Sequence, residues 1–360
     1  MLAHLKNEKM LLIAILAVAI AYPLEHLLLH SGQTVALLSA LVLVDAIICA
    51  SMRVAHHAEL LAHRVGDPYG TMILTSAAVL VEVVVLGIMM SNEASPTLVR
   101  DTIYSAVMLD INGILGLAAL MGGLKHGEQP YNDDSARSYS VMILTAMGIS
   151  MVVPEFVPEQ SWKAYSAFTI VMMVMLYGLF LRMQVGPHSY FFSYSYPEKR
   201  RANAQEEEHE SKSLSIGLLI AGVVVIGALA EVMSKALDLG LEGTGAPPVL
   251  AALLVAGISA APEILTALRA AMANRMQSVV NIALGASLST VILTVPVMEG
   301  IALYTGQPFI MAMTPVQTMM VFITLVVAAI NLNDGETNAI EGMTHFALFA
   351  TFLMLTFIGL

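Results

Sequence analysis

The chain has 360 residues, 16 Lys+Arg against 27 Asp+Glu and a formal net charge of −11, and it is 58% apolar with only 12% charged residues. Soluble domains carry about 25% charged residues, so the balance excludes a disordered chain, which needs charge without apolar bulk, and a nucleic-acid binder, which needs a basic face. A single cysteine, Cys49, excludes a disulfide framework or a cysteine-built zinc cluster, and the remaining class is an integral membrane protein.

A helix needs about 20 apolar residues to cross hydrocarbon, and eleven such stretches follow in chain order: 10–29, 34–52, 69–90, 97–121, 138–156, 162–184, 214–235, 248–272, 276–299, 310–331 and 339–359. The alternating ten-residue segments of a β-barrel are missing. The expected fold class is therefore an all-α polytopic membrane protein with about 11 transmembrane helices. With a cytoplasmic N-terminus, only Arg100, Lys163 and Lys235 of the 16 basic residues fall outside. That bias follows the positive-inside rule and places the C-terminus outside, with the plasma (inner) membrane as the expected location. Lys6 and Lys9 before an apolar run also fit a signal peptide. No small-x-small cleavage site follows cleanly, and Glu25 and His26 come next, so the first helix is read as retained.

The long polar stretch 185–213, ending KRRANAQEEEHESKS, reads as a cytoplasmic linker between two halves. The halves correspond. Span two begins near Thr34 and span seven near Leu214, and Glu82 in span three matches Glu263 in span eight at nearly the same offset. Five spans separate the copies, so they face opposite ways across the bilayer, an arrangement of secondary transporters with a midplane substrate site. The expected organisation is 1–33 as an extra N-terminal transmembrane helix, 34–184 as a first five-helix repeat, 185–213 as the acidic linker and 214–360 as a second, inverted five-helix repeat.

A carboxylate at the bilayer centre costs about 2.5–3.5 kcal/mol on insertion scales, so Glu82 and Glu263 need a reason to be there. Thr75 lies seven residues before Glu82, on the same helical face. Glu263 follows Pro262, which frees a backbone carbonyl, and has Ser259 and Thr266 at i−4 and i+3. The partner spans add Asp110 and Asn112 in span four, and Ser287, Ser289, Thr290 and Thr294 in span nine. Carboxylates, hydroxyls and freed carbonyls are hard oxygen ligands suited to Ca²⁺ and also Na⁺, with Glu82 and Glu263 as the principal metal ligands. Interhelical hydrogen bonding is the plainer use of the same groups. Asp45 and Glu231 are candidates for gating, and His56, His57 and His63 with Glu59 form a cytoplasmic cluster that reads as a satisfied membrane edge. His345 in span eleven has no evident partner, and the 25 methionines read as packing or lipid-facing residues.

The stretches AELLAHRVGDPYGTMILTSAAVLVEV (58–83) and RDTIYSAVMLDINGILGLAALMGGLKHGEQ (100–129) resemble the first repeat of bacterial ChaA-type cation/proton antiporters, of the cation/proton exchanger branch of the calcium/cation antiporter superfamily. APEILTALRAAMANRMQSVVNIALGASLSTVILTVPV (261–297) is similar to the second repeat, and NDGETNAIEGMTHFALFATFLM (333–354) to the last span. The resemblance implies a ten-helix core plus one helix, and exchange of Na⁺, Ca²⁺ or K⁺ for H⁺ without an organic cofactor. It also marks departures. Ala78-Val79 and Ser259-Ala260 stand where the superfamily has Gly-Asn, and Asp110 stands where an asparagine is usual. The expected function is exchange of Ca²⁺ and/or Na⁺ for protons on Glu82, Glu263, Asp110, Thr75, Asn112, Ser259, Ser287, Ser289 and Thr290, within the lipid bilayer and with no nucleic-acid partner and no enzymatic reaction. A zinc or manganese transporter and a cation channel are the alternatives.

Overall fold

The computed structural model describes residues 8–65, 69–92, 95–186, 188–194, 212–247, 249–307 and 309–360. Most of the expected linker, Lys6 and the side chain of His63 lie outside the described residues. Eleven helices run through the described chain: α1 (Lys9–His30), α2 (Gln33–Val65), α3 (Tyr69–Asn92), α4 (Leu98–His126), α5 (Asp133–Phe156), α6 (Glu159–Val185), α7 (Lys212–Leu241), α8 (Val249–Met272), α9 (Met276–Thr305), α10 (Pro315–Asn331) and α11 (Ala339–Phe357). All but α10 are long and apolar enough to cross a membrane, and α10 has 17 residues.

The helix ends depart from the expected spans for identifiable reasons. Residues 309–314 belong to an extended segment rather than to span ten. Thr314 caps α10 reciprocally with Gln317, and Pro315 occupies the first helical position, which fixes the start there. Helix α2 runs on to Val65, well past the expected end, and carries His56 and His57 with it. Helix α8 passes through Pro262 unbroken. The irregular backbone includes instead π-helical turns in α4 (Leu109–Leu115), α5 (Gly148–Val152) and α9 (Thr290–Thr294), with 3-10 turns at Val153–Phe156 and Glu159–Ser161.

The connections sort to two ends, as an eleven-span chain requires. At one end a short antiparallel ladder pairs Gln129 with Thr337 and Pro130 with Glu336, joining the α4–α5 and α10–α11 links. There Lys125 Nζ also donates to the Met272 carbonyl at the end of α8 at 2.9 Å. At the other end Gln33 Nε2 donates to the Gly240 carbonyl of α7 at 3.2 Å, and the Ile310 amide donates to the Pro96 carbonyl at 2.8 Å.

Two packed groups frame the centre. Helix α4 lies against α11 at a distance only glycine permits: a Cβ on Gly116 would sit 2.8 Å from His345 Cβ, and one on Gly342 would sit 2.2 Å from the Leu120 amide. Helices α1, α2 and α7 form the second group. Near one end Glu8 binds the Arg53 guanidinium of α2 and lies 3.3 Å from His57 Nε2. Near the other, Tyr22 donates to Glu231 at 2.8 Å, and Lys235 bridges Glu25 and Glu231 at 2.9 and 3.2 Å. Burial pushes the Glu8 carboxyl up, but Arg53 and then His57 outweigh it and hold the group below the usual carboxylate range.

Candidate cation site

Helices α3 and α8 carry the two matched glutamates, and α4 and α9 pack beside them. A cavity of about 480 Å³ lies between these helices, lined at depth by Glu82, Asp110, Glu263, Ser259, Ser289 and Thr290. It widens toward the end where α2 meets α3 and α8 meets α9, past Thr75 to the exposed Glu59, Arg269 and Ser278. Beyond the deep carboxylates the opposite direction is closed, because Val107, Val295 and Met298 are fully buried.

The three carboxylates differ in how they are held. Glu82 is 2% exposed, and its Oε2 accepts hydrogen bonds from Thr290 Oγ1 and Thr294 Oγ1 of α9, each at 3.0 Å. Its Oε1 is buried without a hydrogen-bond partner. Asp110 is also 2% exposed and accepts from Ser287 Oγ of α9 at 3.1 Å. Glu263 is half-buried on the cavity wall. Asp110 lines the same cavity as both glutamates, and bringing three carboxylates together without cations is costly. A cavity that collects oxygen ligands and negative charge suits a cation or protons.

The π turns explain how α9 and α4 reach this centre. A π turn inserts a residue into the helical ladder and rotates the following side chains. In α9 the turn Thr290–Thr294 brings two threonines onto one oxygen of Glu82. In α4 the turn that begins at Leu109 holds Asp110 toward Ser287.

The expected site residues divide accordingly. Glu82, Glu263, Asp110, Thr75, Ser259, Ser289 and Thr290 line one cavity, and Ser287 supports Asp110. The hydroxyls of Ser259 and Ser289 are spent on the Ala256 and Gly285 carbonyls of their own helices. Asn112 is turned away: it donates to Thr324 of α10 at 2.7 Å and meets His345 Nδ1 of α11 at 3.0 Å. His345, without an evident partner in the sequence, therefore has one. Thr294 has a larger part than its sequence position suggested, and its signal was the i+4 spacing from Thr290. His56 and Glu59 line the cavity mouth, whereas His57 is fully buried against Glu8 and Arg53. Asp45 is exposed on α2. Among the described residues no three His, Cys, Asp or Glu side chains close on a point that could hold a metal ion.

The profile of the sodium/calcium exchanger protein family matches the chain twice, over residues 33–186 and 214–358. The sodium-potassium/proton antiporter ChaA of Escherichia coli is 31% identical over 358 residues, 98% of this chain and 96% of that protein. A putative ionic transporter of Sinorhizobium fredii, y4hA, is 31% identical over 343 residues, covering 93% of this chain and 92% of that protein. The solved structure of YfkE superposes with a TM-score of 0.76 at 18% identity, over 97% of this chain and 99% of that one.

Proposed function

The chain belongs to the sodium/calcium exchanger protein family, as a multi-pass membrane antiporter and not an enzyme, and we propose that it exchanges Na⁺ and/or Ca²⁺, with K⁺ as a further candidate, for protons through Glu82, Asp110 and Glu263. The observation that carries this reading is the convergence of three membrane-embedded carboxylates, from corresponding helices of the two halves, on one cavity. The relatives support it: ChaA of E. coli is a sodium-potassium/proton antiporter, and an Aphanothece halophytica relative is a Ca²⁺/H⁺ antiporter.

In this reading the ionised carboxylates bind the cation together with the hydroxyl of Thr290, and the same oxygens take protons once it leaves. Since an oxygen holding a proton cannot coordinate a cation at full strength, one site serves two ions in turn and couples their fluxes. Closure of α3 and α8 around the ion and reopening to the other face is the proposed cycle. The excess of Lys and Arg at the cavity's open end supports a cytoplasmic orientation of that end, in the inner membrane with a cytoplasmic N-terminus.

The alternative of a zinc or manganese transporter has less support, because imidazole suits those ions and among the described residues no histidine lines the deep part of the cavity. The test is reconstitution of the full chain in proteoliposomes with a trapped pH dye, adding Na⁺, K⁺, Ca²⁺, Mg²⁺ or Zn²⁺ in turn. Proton flux driven by Na⁺ or Ca²⁺ is the expected result. Flux driven by Zn²⁺ alone, or cation uptake without proton movement, would overturn the reading.

A further inference from the structure

Beyond its π turn, α9 continues as VPVMEGIALYT (Val295–Thr305), an apolar run with one acidic residue, Glu299. Glu299 is 2% exposed. Its Oε1 lies 3.4 Å from Ser166 Oγ of α6, which donates to it, and its Oε2 is buried without a hydrogen-bond partner. Among the described residues no Lys, Arg or His forms an ion pair with it.

Helices α6 and α3 pack against this segment. On α6 the neighbouring titratable group is Tyr165, whose hydroxyl is spent on the Ile149 carbonyl at 2.7 Å. The cation at that end of α6, Lys163, is exposed over the Trp162 ring. On α3 the titratable group is Glu82, held by Thr290 and Thr294. A buried carboxyl with, among the described residues, one weak donor and an oxygen without a hydrogen-bond partner is poor structural glue, since an orphaned acceptor is costly, and it needs another reason to be there.

Its position supplies one. Thr294 touches Glu82, and Glu299 lies five residues further along α9, about 7.5 Å at 1.5 Å per residue. That is the direction away from the open mouth, toward the face on which the cavity is closed. Val295, Met298 and Ala302 around it are fully buried, so a hydrated cation has no room, whereas a proton needs only carboxyl and hydroxyl oxygens. We propose that Glu299 is a second proton-binding site, lying between Glu82 and the closed face and passing protons to the central carboxylate. The proposal rests on the exchange reading above. A proton from that face converts the Glu299 carboxylate to the acid. Transfer to the Glu82 carboxylate leaves Glu299 ionised and Glu82 neutral, which weakens the hold of Glu82 on its cation.

The test compares two modes of the full chain in proteoliposomes: cation/proton exchange, and self-exchange of radiolabelled Na⁺ or Ca²⁺ across the membrane, which needs no proton transfer. Glu299→Gln should slow cation/proton exchange about ten-fold or more, leave self-exchange within about two-fold, and be partly reversed by Glu299→Asp. Unchanged cation/proton exchange in Glu299→Gln overturns the proposal. An equal loss of both modes that Glu299→Asp does not restore assigns the residue to packing and also overturns it. Should Glu299→Gln fail to assemble, Ser166→Ala removes the one donor and should shift the pH for half-maximal exchange on the closed-face side alone. No shift there overturns the proposal. Wild-type protein that self-exchanges cations but moves no protons overturns the exchange reading as well.

Discussion

Ser287 of α9 donates its hydroxyl to Asp110 Oδ2 of α4 across 3.1 Å, so among the described residues the third carboxylate of the cavity is held by a single neutral donor. One such bond offsets only part of the cost of burying a charge, and the remainder is available to a bound cation. Asp110→Asn should therefore weaken divalent ions more than monovalent ones, because the Coulomb term scales with the product of the charges. The half-saturating Ca²⁺ concentration should rise about ten-fold relative to that for Na⁺, or ~1.4 kcal/mol. An unchanged ratio, with only thermal stability lowered, would retire Asp110 from the site.

Glu82→Gln and Glu263→Gln should each lower exchange by about 100-fold or more, the scale of losing a proton-transfer group. In both the protein should still elute as a folded species. Glutamine keeps the volume and can still accept from Thr290 and Thr294, but it has neither charge nor titratable proton. Cation-driven proton flux near the wild-type level in either variant sinks the two-glutamate mechanism.

The sequence carried the helices because hydrophobic length and charge bias are local, additive signals. The connections do alternate between two ends, as successive spans require. Glu82 and Glu263 were legible because a carboxylate has no ordinary business in hydrocarbon. Asn112 was not: it shares the π turn with Asp110, and a turn that rotates the following side chains is invisible to a 3.6-residue reading. Pro262 misled in the opposite sense, since α8 absorbs it without breaking. Glu299 stood in plain view as a lone acid in an apolar run, but it has no counterpart in the first repeat to draw attention to it.

Because Asn112 bridges Thr324 and His345 rather than facing the cavity, Asn112→Ala should act on stability. Orphaning two buried partners costs about 1–3 kcal/mol per group, while half-saturating cation concentrations should stay at wild-type values. Melting of the purified protein in detergent, set beside cation titrations, checks both halves. A selectivity change without a lower melting temperature would return Asn112 to the site.

The Glu8–Arg53 pair gives a pH dependence with a defined sign. The folded-state pKa of Glu8 is lowered, so its contribution is complete above the ordinary carboxylate pKa and is lost as pH falls through that range and below. Wild type should melt higher than Glu8→Gln at pH 7, and the gap should close on acidification toward pH 3. A gap that persists unchanged at low pH would show that Glu8 acts through packing rather than charge.

Transport itself should depend on pH through competition. Glu82, Asp110 and Glu263 line the same cavity, so a cation that uses their oxygens displaces whatever protons they hold. By linkage, the half-saturating cation concentration then rises as pH falls, by up to about ten-fold per pH unit for each proton displaced, and cation binding releases the same number of protons. The two quantities come from separate measurements, equilibrium cation binding across pH and proton release into a weakly buffered solution, and they must agree. Neutralising Asp110 should reduce both together if it is among the groups that lose a proton, whereas Glu299→Gln should leave equilibrium binding at the central site nearly unchanged and alter only rates. A binding curve flat between about pH 5 and 9, with no proton release, would mean that protons and cations use different sites, and would dismantle the coupling at its origin.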